Sequence, residues 1–298
     1  MTIKKVFITG ATGYIGGSVA HILVNKGYEV SGLVRKPGDA EKLQSLGITP
    51  VIGSSQNLPV LRKEALAADA VIHTADADDS HSVITFLETL KGTNKTFIFT
   101  SGSSLVGDNA KGEKGNFKYT EDVPVGPLLQ KAHRVALNDY IQAAAKQGIR
   151  TIVIVPTMIY GEGLGIKKAS IQVPALTEIS KENNAGIYIE KGENVWSNAH
   201  VADLAELYAL ALEKATAGSY FYAENGEASL KEIAASISKK LGFGGKITSV
   251  TLDEAVKRWG ADAAGFGFAS NSLVNSDKAK AILGWKPVHH SILENIES

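Results

Sequence analysis

Val6-Phe7-Ile8-Thr9-Gly10-Ala11-Thr12-Gly13-Tyr14-Ile15-Gly16-Gly17 joins a β-branched and aromatic run to glycines spaced G-x-x-G-x-x-G. Apolar residues at helical period follow directly: Val19, Ala20, Ile22, Leu23 and Val24. That order reads strand, tight turn, helix. Each glycine has its own steric task in this reading. Gly10 turns the chain, Gly13 lets backbone N–H groups approach a pyrophosphate, and Gly16 lets the helix lie close on the strand. The helix N-terminus then presents the positive end of its dipole to the anion. A plain glycine loop could carry the same spacing, but the strand before it and the helix after it select a dinucleotide site. Its residues are Gly10, Thr12, Gly13, Tyr14, Ile15 and Gly16.

Outward from this stretch, strand-like runs recur at Glu29–Val34, Thr49–Ile52, Ala70–Thr74, Thr96–Thr100 and Thr151–Val155, with helical patterns between them. The alternation predicts βαβ units and an α/β fold: a doubly wound, Rossmann-type parallel sheet with right-handed crossovers and helices on both faces. Ligands in such sheets sit beyond the carboxyl ends of the strands. Thr74 and Ala75, Thr100 and Pro156 stand at those ends and are candidate cofactor contacts. The second strand ends in Arg35-Lys36, where a nucleotide-binding chain specific for NAD would place a carboxylate, and Glu29 comes too early. Two cations there suit a 2′-phosphate, so the expected cofactor is NADP(H); a solvated charge pair is the plainer alternative.

His73-Thr74-Ala75-Asp76-Ala77-Asp78-Asp79-Ser80-His81 follows the fourth strand and brings carboxylates and histidines together. Its spacing matches no regular metal-ligand pattern, so no metal site is expected. Asp79 or Ser80 reads as the cap of the next helix. After the fifth strand, Ser101-Gly102-Ser103-Ser104 sets a hydroxyl cluster on the same edge, without the G-x-S-x-G of a nucleophile elbow.

The chain has 298 residues, 44% of them hydrophobic, with Lys+Arg and Asp+Glu equal at 31 each and no cysteine. Charge balance gives no basic nucleic-acid face. Neither a bilayer-length apolar run nor room for a signal peptide before the first strand is present, so a cytoplasmic protein without a membrane partner is expected. Thiolate nucleophiles, disulfides and cysteine metal sites are excluded. A small-molecule substrate is the expected partner, with a homodimer as the candidate assembly.

These motifs together resemble the extended short-chain dehydrogenase/reductase family, in its atypical, epimerase-like branch. Thr9-Gly10, Gly13 and Gly16 match its T-G-x-x-G-x-x-G, and Val71–Ala75 resembles its fourth strand. Pro156-Thr157-Met158-Ile159-Tyr160-Gly161 is similar to its R-P-x-x-x-Y-G segment, with Val155 where arginine usually stands. Asn198–Ala205 resembles V-H-V-x-D-x-A, and Leu283-Gly284-Trp285-Lys286-Pro287 the L-G-W-x-P ending. The resemblance implies hydride chemistry with a Ser/Thr and a Tyr-x-x-x-Lys, the tyrosine exchanging a proton with the substrate oxygen. Here Gln130 falls on the tyrosine position, Arg134 on the lysine and Gly102 on the usual serine, flanked by Ser101, Ser103 and Ser104. Arginine can hydrogen-bond a ribose or a carbonyl but is a poor acid near neutrality. The amide of Gln130 can stabilise an alkoxide without protonating it. Candidates for the acid are therefore Tyr119, His133, Tyr160, Ser103, Ser104 or a water; His133 reads equally as a helix-face residue and Tyr119 as a loop aromatic.

The expected division is a Rossmann domain over 1–162, completed by about 195–223, and a substrate-binding lobe from 163–194 and 224–298. Val195–His200 reads as a returning strand, Val201–Lys214 as a helix, and Ser229–Leu241 as a helix with a Ser229/Glu232 capping box. Trp196, Phe221 and Tyr222 read as core, while Trp259, Phe266 and Phe268 could form an apolar substrate wall or a surface loop. The expected activity is NADPH-dependent reduction of a small carbonyl, imine or activated double bond. A non-catalytic NADP-binding sensor, or an epimerase or isomerase without net redox change, is the alternative.

Overall fold

The computed structural model describes residues 3–298, so the Met1-Thr2 start of the leader-free N-terminus expected above lies outside it. In chain order the strands are β1 Lys5–Thr9, β2 Glu29–Val34, β3 Thr49–Ile52, β4 Ala70–His73, β5 Thr96–Thr100, β6 Arg150–Pro156, β7 Met158–Tyr160, β8 Gly186–Ile189, β9 Val195–His200, β10 Ser219–Ala223, β11 Glu227–Ser229 and β12 Ile247–Val250. The helices are α1 Tyr14–Asn25, α2 Pro37–Ser45, α3 Leu58–Ala67, α4 Ser80–Leu90, α5 Leu129–Ala143, α6 Gln172–Asn183, α7 Val201–Lys214, α8 Leu230–Lys240, α9 Leu252–Trp259, α10 Asp277–Leu283 and α11 Ile292–Glu297.

The central sheet has the order β3-β2-β1-β4-β5-β6-β10, with every pairing parallel. This is the doubly wound Rossmann-type sheet that the alternation of strand and helix patterns predicts. The order in which the chain adds strands reverses between β1 and β4, and a crevice opens there at the carboxyl ends. Both faces are covered, which explains why the strands are apolar along their length rather than alternating. Val6 and Ile8 of β1 pack with Val19 and Leu23 of α1 and with Leu204 and Tyr208 of α7. Phe7, pointing the other way, joins Phe86 of α4 and Phe97 and Phe99 of β5, with Phe86 5.6 Å from the Phe97 ring.

Beside the central sheet stand two smaller ones, β11-β9-β7 and β12-β8, with a hydrophobic cluster of their own. Trp196, Leu230, Ile233, Ile237, Phe268 and Ile292 fill it. Ser229 accepts from the Glu232 amide while Glu232 reaches back to the Ser229 amide, the capping box legible in the sequence. Trp285 ties the chain end down, its indole N–H donating to the Asp203 carbonyl at 2.8 Å.

Candidate active site

β1 delivers the chain into the crevice at Gly10, whose φ of +78° is one that L side chains avoid. A Cβ on Gly16 would overlap the Gly10 carbonyl oxygen and Thr74 Oγ1, so this glycine sets how closely α1 approaches the strand ends. Gly13 is different. It is the N-cap of α1 in extended backbone, and a Cβ there would meet only the Gly10 carbonyl oxygen, at 3.0 Å. Unlike α3, α4, α7, α8, α9 and α11, α1 has no side-chain cap, and its first turn carries no acidic residue. Its first amides therefore stay available to an anion. Ser101 Oγ, buried at the same edge, has no hydrogen-bond partner among the described residues. An open glycine cradle, an uncapped helix end and an orphaned hydroxyl fit a dinucleotide.

Arg35 and Lys36 follow β2, both exposed, with no ion pair or side-chain hydrogen bond among the described residues. Thr74 lies across the glycines, its hydroxyl donating to the Thr9 carbonyl at 2.7 Å; Ala75 beside it is exposed. Beneath them His73 is fully buried. Its Nδ1 accepts from Thr9 Oγ1 at 2.7 Å and its Nε2 faces the Asp76 carbonyl at 3.1 Å. Burial pushes the imidazole pKa down, against the pull of the Asp76 carbonyl and of Asp79 and Asp76. A neutral His73 thus ties the Asp76–Asp79 loop to the sheet, and Asp79 caps α4 by accepting from the Ser82 amide at 3.0 Å.

That loop holds a partner for Arg134 that the spacing of motifs does not reveal. Arg134 Nε donates to Asp78 Oδ1 at 2.8 Å, a second nitrogen, Nη2, meets Asp78 Oδ2, and Nη1 donates to Ser104 Oγ at 2.9 Å. Burial raises the Asp78 carboxyl, but hydrogen bonds and charge from Arg134 and His133 outweigh it and hold it below the usual carboxylate range. The signal in the sequence was the acidic run after β4, readable only once α5 is known to face it.

A cleft of about 310 Å³ runs from Tyr14 and Ile15 past Ser101–Ser104, Arg134 and Pro156 to Thr157 and Ile159. Ser170, Ile171, Gln172, Trp196 and Gly267 close its far side. A larger hollow of about 490 Å³ beside Lys114, Glu193 and Lys231 holds none of these groups, so chemistry rather than size marks the cleft. Gln172 Nε2 donates to the Gly267 carbonyl at 2.7 Å, and buried Lys131 reaches Asp262 at 2.5 Å with its ammonium 4.7 Å from the Phe266 ring centre. The Gly/Ala-rich stretch around Phe266 is therefore a wall, a single π-helical turn over Ala263–Phe268. It meets the cleft through Gly267, whereas Phe268 and Trp259 pack with the cluster of the smaller sheets, their rings 4.6 Å apart. Trp196 serves core and cleft at once, 4% exposed with its indole N–H donating to the Ser270 carbonyl at 2.8 Å.

Several expected residues sit elsewhere. Thr100 points under the sheet, its hydroxyl 2.7 Å from Tyr208 Oη, because the alternation along β5 turns it toward α7 rather than the crevice. Tyr119 pairs with Val274 in an isolated bridge and, half-buried, packs against the cluster that holds Phe7 and Phe97, outside the cleft lining. Gln130 is exposed in the first turn of α5. His133 is exposed too, one helical step from the cleft, with Nε2 2.8 Å from Asp78 Oδ1. Ser103 does line the cleft, but it is 2% exposed and accepts from Ser272 Oγ at 2.8 Å, which fixes the strand end from behind. Tyr160 is buried against His200 and His289, and burial first, then Asp203 and Glu294, push its phenol up to about 12. Phe221 and Tyr222 are core. Among the described residues no three His, Cys, Asp or Glu side chains gather to hold a metal ion, and no helix is long and apolar enough to cross a membrane.

A parallel sheet with an uncapped, glycine-lined α1 at its switch point defines a nucleotide-binding α/β protein. The model of the NAD dependent epimerase/dehydratase family matches residues 6–221, and the chain belongs to that family. An uncharacterised protein of Schizosaccharomyces pombe is 33% identical, over 99% of this chain and 98% of the relative. An oxidase of Acremonium is 27% identical over 99% of this chain and 96% of its own length. A 4-hydroxy-2-methyl-3-oxo-4-farnesyl-3,4-dihydroquinoline-1-oxide ketoreductase of Stigmatella aurantiaca is 22% identical over 74% and 68%. Among solved structures, a dTDP-glucose 4,6-dehydratase of Bacillus anthracis in complex with NAD superposes with a TM-score of 0.78 at 18% identity, covering 99% of this chain and 94% of that one.

Proposed function

We propose that this protein is an NADP(H)-dependent oxidoreductase that reduces a small carbonyl, imine or activated double bond. The observation that carries the reading is the Ser104–Arg134 donor pair in a cleft beside the cradle, whose one lining tyrosine among the described residues, Tyr14, donates its hydroxyl to the Gly161 carbonyl instead. The ketoreductase relative supports the direction of reaction. Gly10, Gly13 and Gly16 would hold the pyrophosphate on the α1 amides, and Arg35 with Lys36 the 2′-phosphate. Bound there, the nicotinamide supplies hydride.

The protein's own part is polarisation and positioning. Arg134 and Ser104 donate to the substrate oxygen or nitrogen, favouring the charge that develops on it. Neither is an acid near neutrality, and water entering the open cleft delivers the proton. An imine nitrogen, more basic than a carbonyl oxygen, takes that proton from water more readily, which matches the loss of the family tyrosine. Tyr14 braces the entrance, its hydroxyl donating to the Gly161 carbonyl at 2.8 Å.

Two measurements test this reading: coenzyme binding by NADPH and NADH fluorescence, and NADPH oxidation with a panel of ketones, imines and enones. Tighter binding of NADPH and turnover of at least one class are expected. Binding without turnover moves the assignment to a sensor; product without change in nicotinamide absorbance moves it to an isomerase.

A further inference from the structure

Of the side chains that line the cleft among the described residues, Arg134 alone is charged. Ile15, Pro156, Ile159, Ile171 and Trp196 are among the rest, and most of the lining surface is apolar. A lone cation in an apolar cleft would ordinarily select an anion such as a carboxylate or phosphate. Here the cation is already spent. Asp78 takes Nε and Nη2 in a bidentate pair, and Asp76 and Asp79 stand on the same loop. Of the five guanidinium N–H groups, these contacts and Ser104 engage the one at Nε and one at each terminal nitrogen, so one N–H remains free on Nη1 and one on Nη2.

We propose that Asp78 determines substrate charge: it cancels the positive charge of Arg134 while leaving N–H donors for a neutral acceptor, so the cleft takes uncharged carbonyl or imine compounds with an apolar body and rejects carboxylates and phosphates. An anion entering would lose its hydration and find the Arg134 charge already paired with the Asp78 carboxylate behind it, while His133, the other group on Asp78, is exposed to water outside the cleft. A neutral oxygen pays far less to leave water and still gains the guanidinium donors. His73 supports this arrangement at a distance, holding the loop that carries Asp78 against β1.

The inference rests on the proposed reduction, and the test separates the two. Benzamide and benzoate, one shape with and without charge, are titrated by calorimetry into the wild type with NADP+ present, into Asp78→Asn, and into Asp78→Asn/Arg134→Gln. Turnover of acetophenone is compared with that of phenylglyoxylate in parallel. The wild type is expected to bind benzamide at least about tenfold more tightly than benzoate; Asp78→Asn is expected to raise benzoate affinity about tenfold or more; the double variant is expected to lose that gain. Equal binding of both probes to the wild type, or benzoate affinity unmoved by Asp78→Asn, overturns the inference. The expected binding pattern with no turnover of any carbonyl overturns the proposed reduction and leaves the selectivity standing.

Discussion

Lowering pH below 6.5 should destabilise this protein, and the imidazole of His200 carries a separable share of the effect. The ring caps α7, its Nδ1 accepting the Ala202 amide at 3.2 Å, and stacks on His289 at 3.7 Å with the planes 13° apart. Its other edge faces Gly161, where a Cβ would overlap the ring. Protonation would place a second N–H against the Ala202 donor and abolish the cap. Burial, then the neighbouring His289, therefore lower the His200 pKa from 6.5 to about 4, with Asp203 opposing. The unfolded chain takes up the proton near 6.5 and the native protein only near 4. The contribution is therefore complete above pH 6.5 and is lost as pH falls through that window. The difference corresponds to about 3 kcal/mol at most, and to about 2 kcal/mol once water at the ring edge is allowed for. Urea unfolding followed at pH 7, 6, 5 and 4 measures it. His200→Asn keeps an acceptor at the cap and cannot titrate, so its stability should fall less over the same range by about that amount. The two curves share every other titrating group, including buried His73. Parallel curves would refute the argument.

Other perturbations follow from the same geometry. Gly16→Ala must push α1 off the Gly10 backbone, costing about 1–3 kcal/mol in unfolding free energy and weakening coenzyme binding; a midpoint unchanged in urea would count against the close approach. Arg35→Asp should weaken NADPH about 10- to 100-fold, from loss of a charged hydrogen bond, with NADH barely affected, and equal losses in fluorescence titration would remove Arg35 from the phosphate site. Arg134→Ala should lower kcat/KM by about 10- to 100-fold, and unchanged kinetics would remove it from the machinery. Lys131→Met should shift stability by less than about 1 kcal/mol, because Asp262 is left in water rather than stranded, while raising KM as the wall around Gly267 loosens; a large loss of stability with KM unchanged would contradict that role.

How much was legible in advance depends on whether a residue's task is local. Gly10 and Gly16 declare themselves because a positive φ and a close strand–helix approach are demanded within a few residues, and the apolar strands follow from burial on both faces. The Ser229 capping box and the Asp79 cap are likewise spelled out within one turn. Thr100 defeated the same reasoning: strand ends are easy to find, but which face a residue takes depends on register to the last position. Tyr119 and His133, read as candidate acids, and Gln130, read as an amide donor, stand outside the cleft lining, because position along the chain says nothing about side-chain direction. One helical step carries His133 out of the cleft while Arg134 stays in it.

The amino-acid sequence alone determined a doubly wound α/β sheet and a dinucleotide cradle, since period, glycine sterics and helix ends act over a few residues. Only the tertiary structure decided that Asp78 meets Arg134 across 56 positions, that Gly267 rather than Trp259, Phe266 or Phe268 brings its stretch to the cleft, and that Trp196 is both core and lining. Such pairings join segments distant in the chain, and their energies exist only after the sheet has ordered its strands.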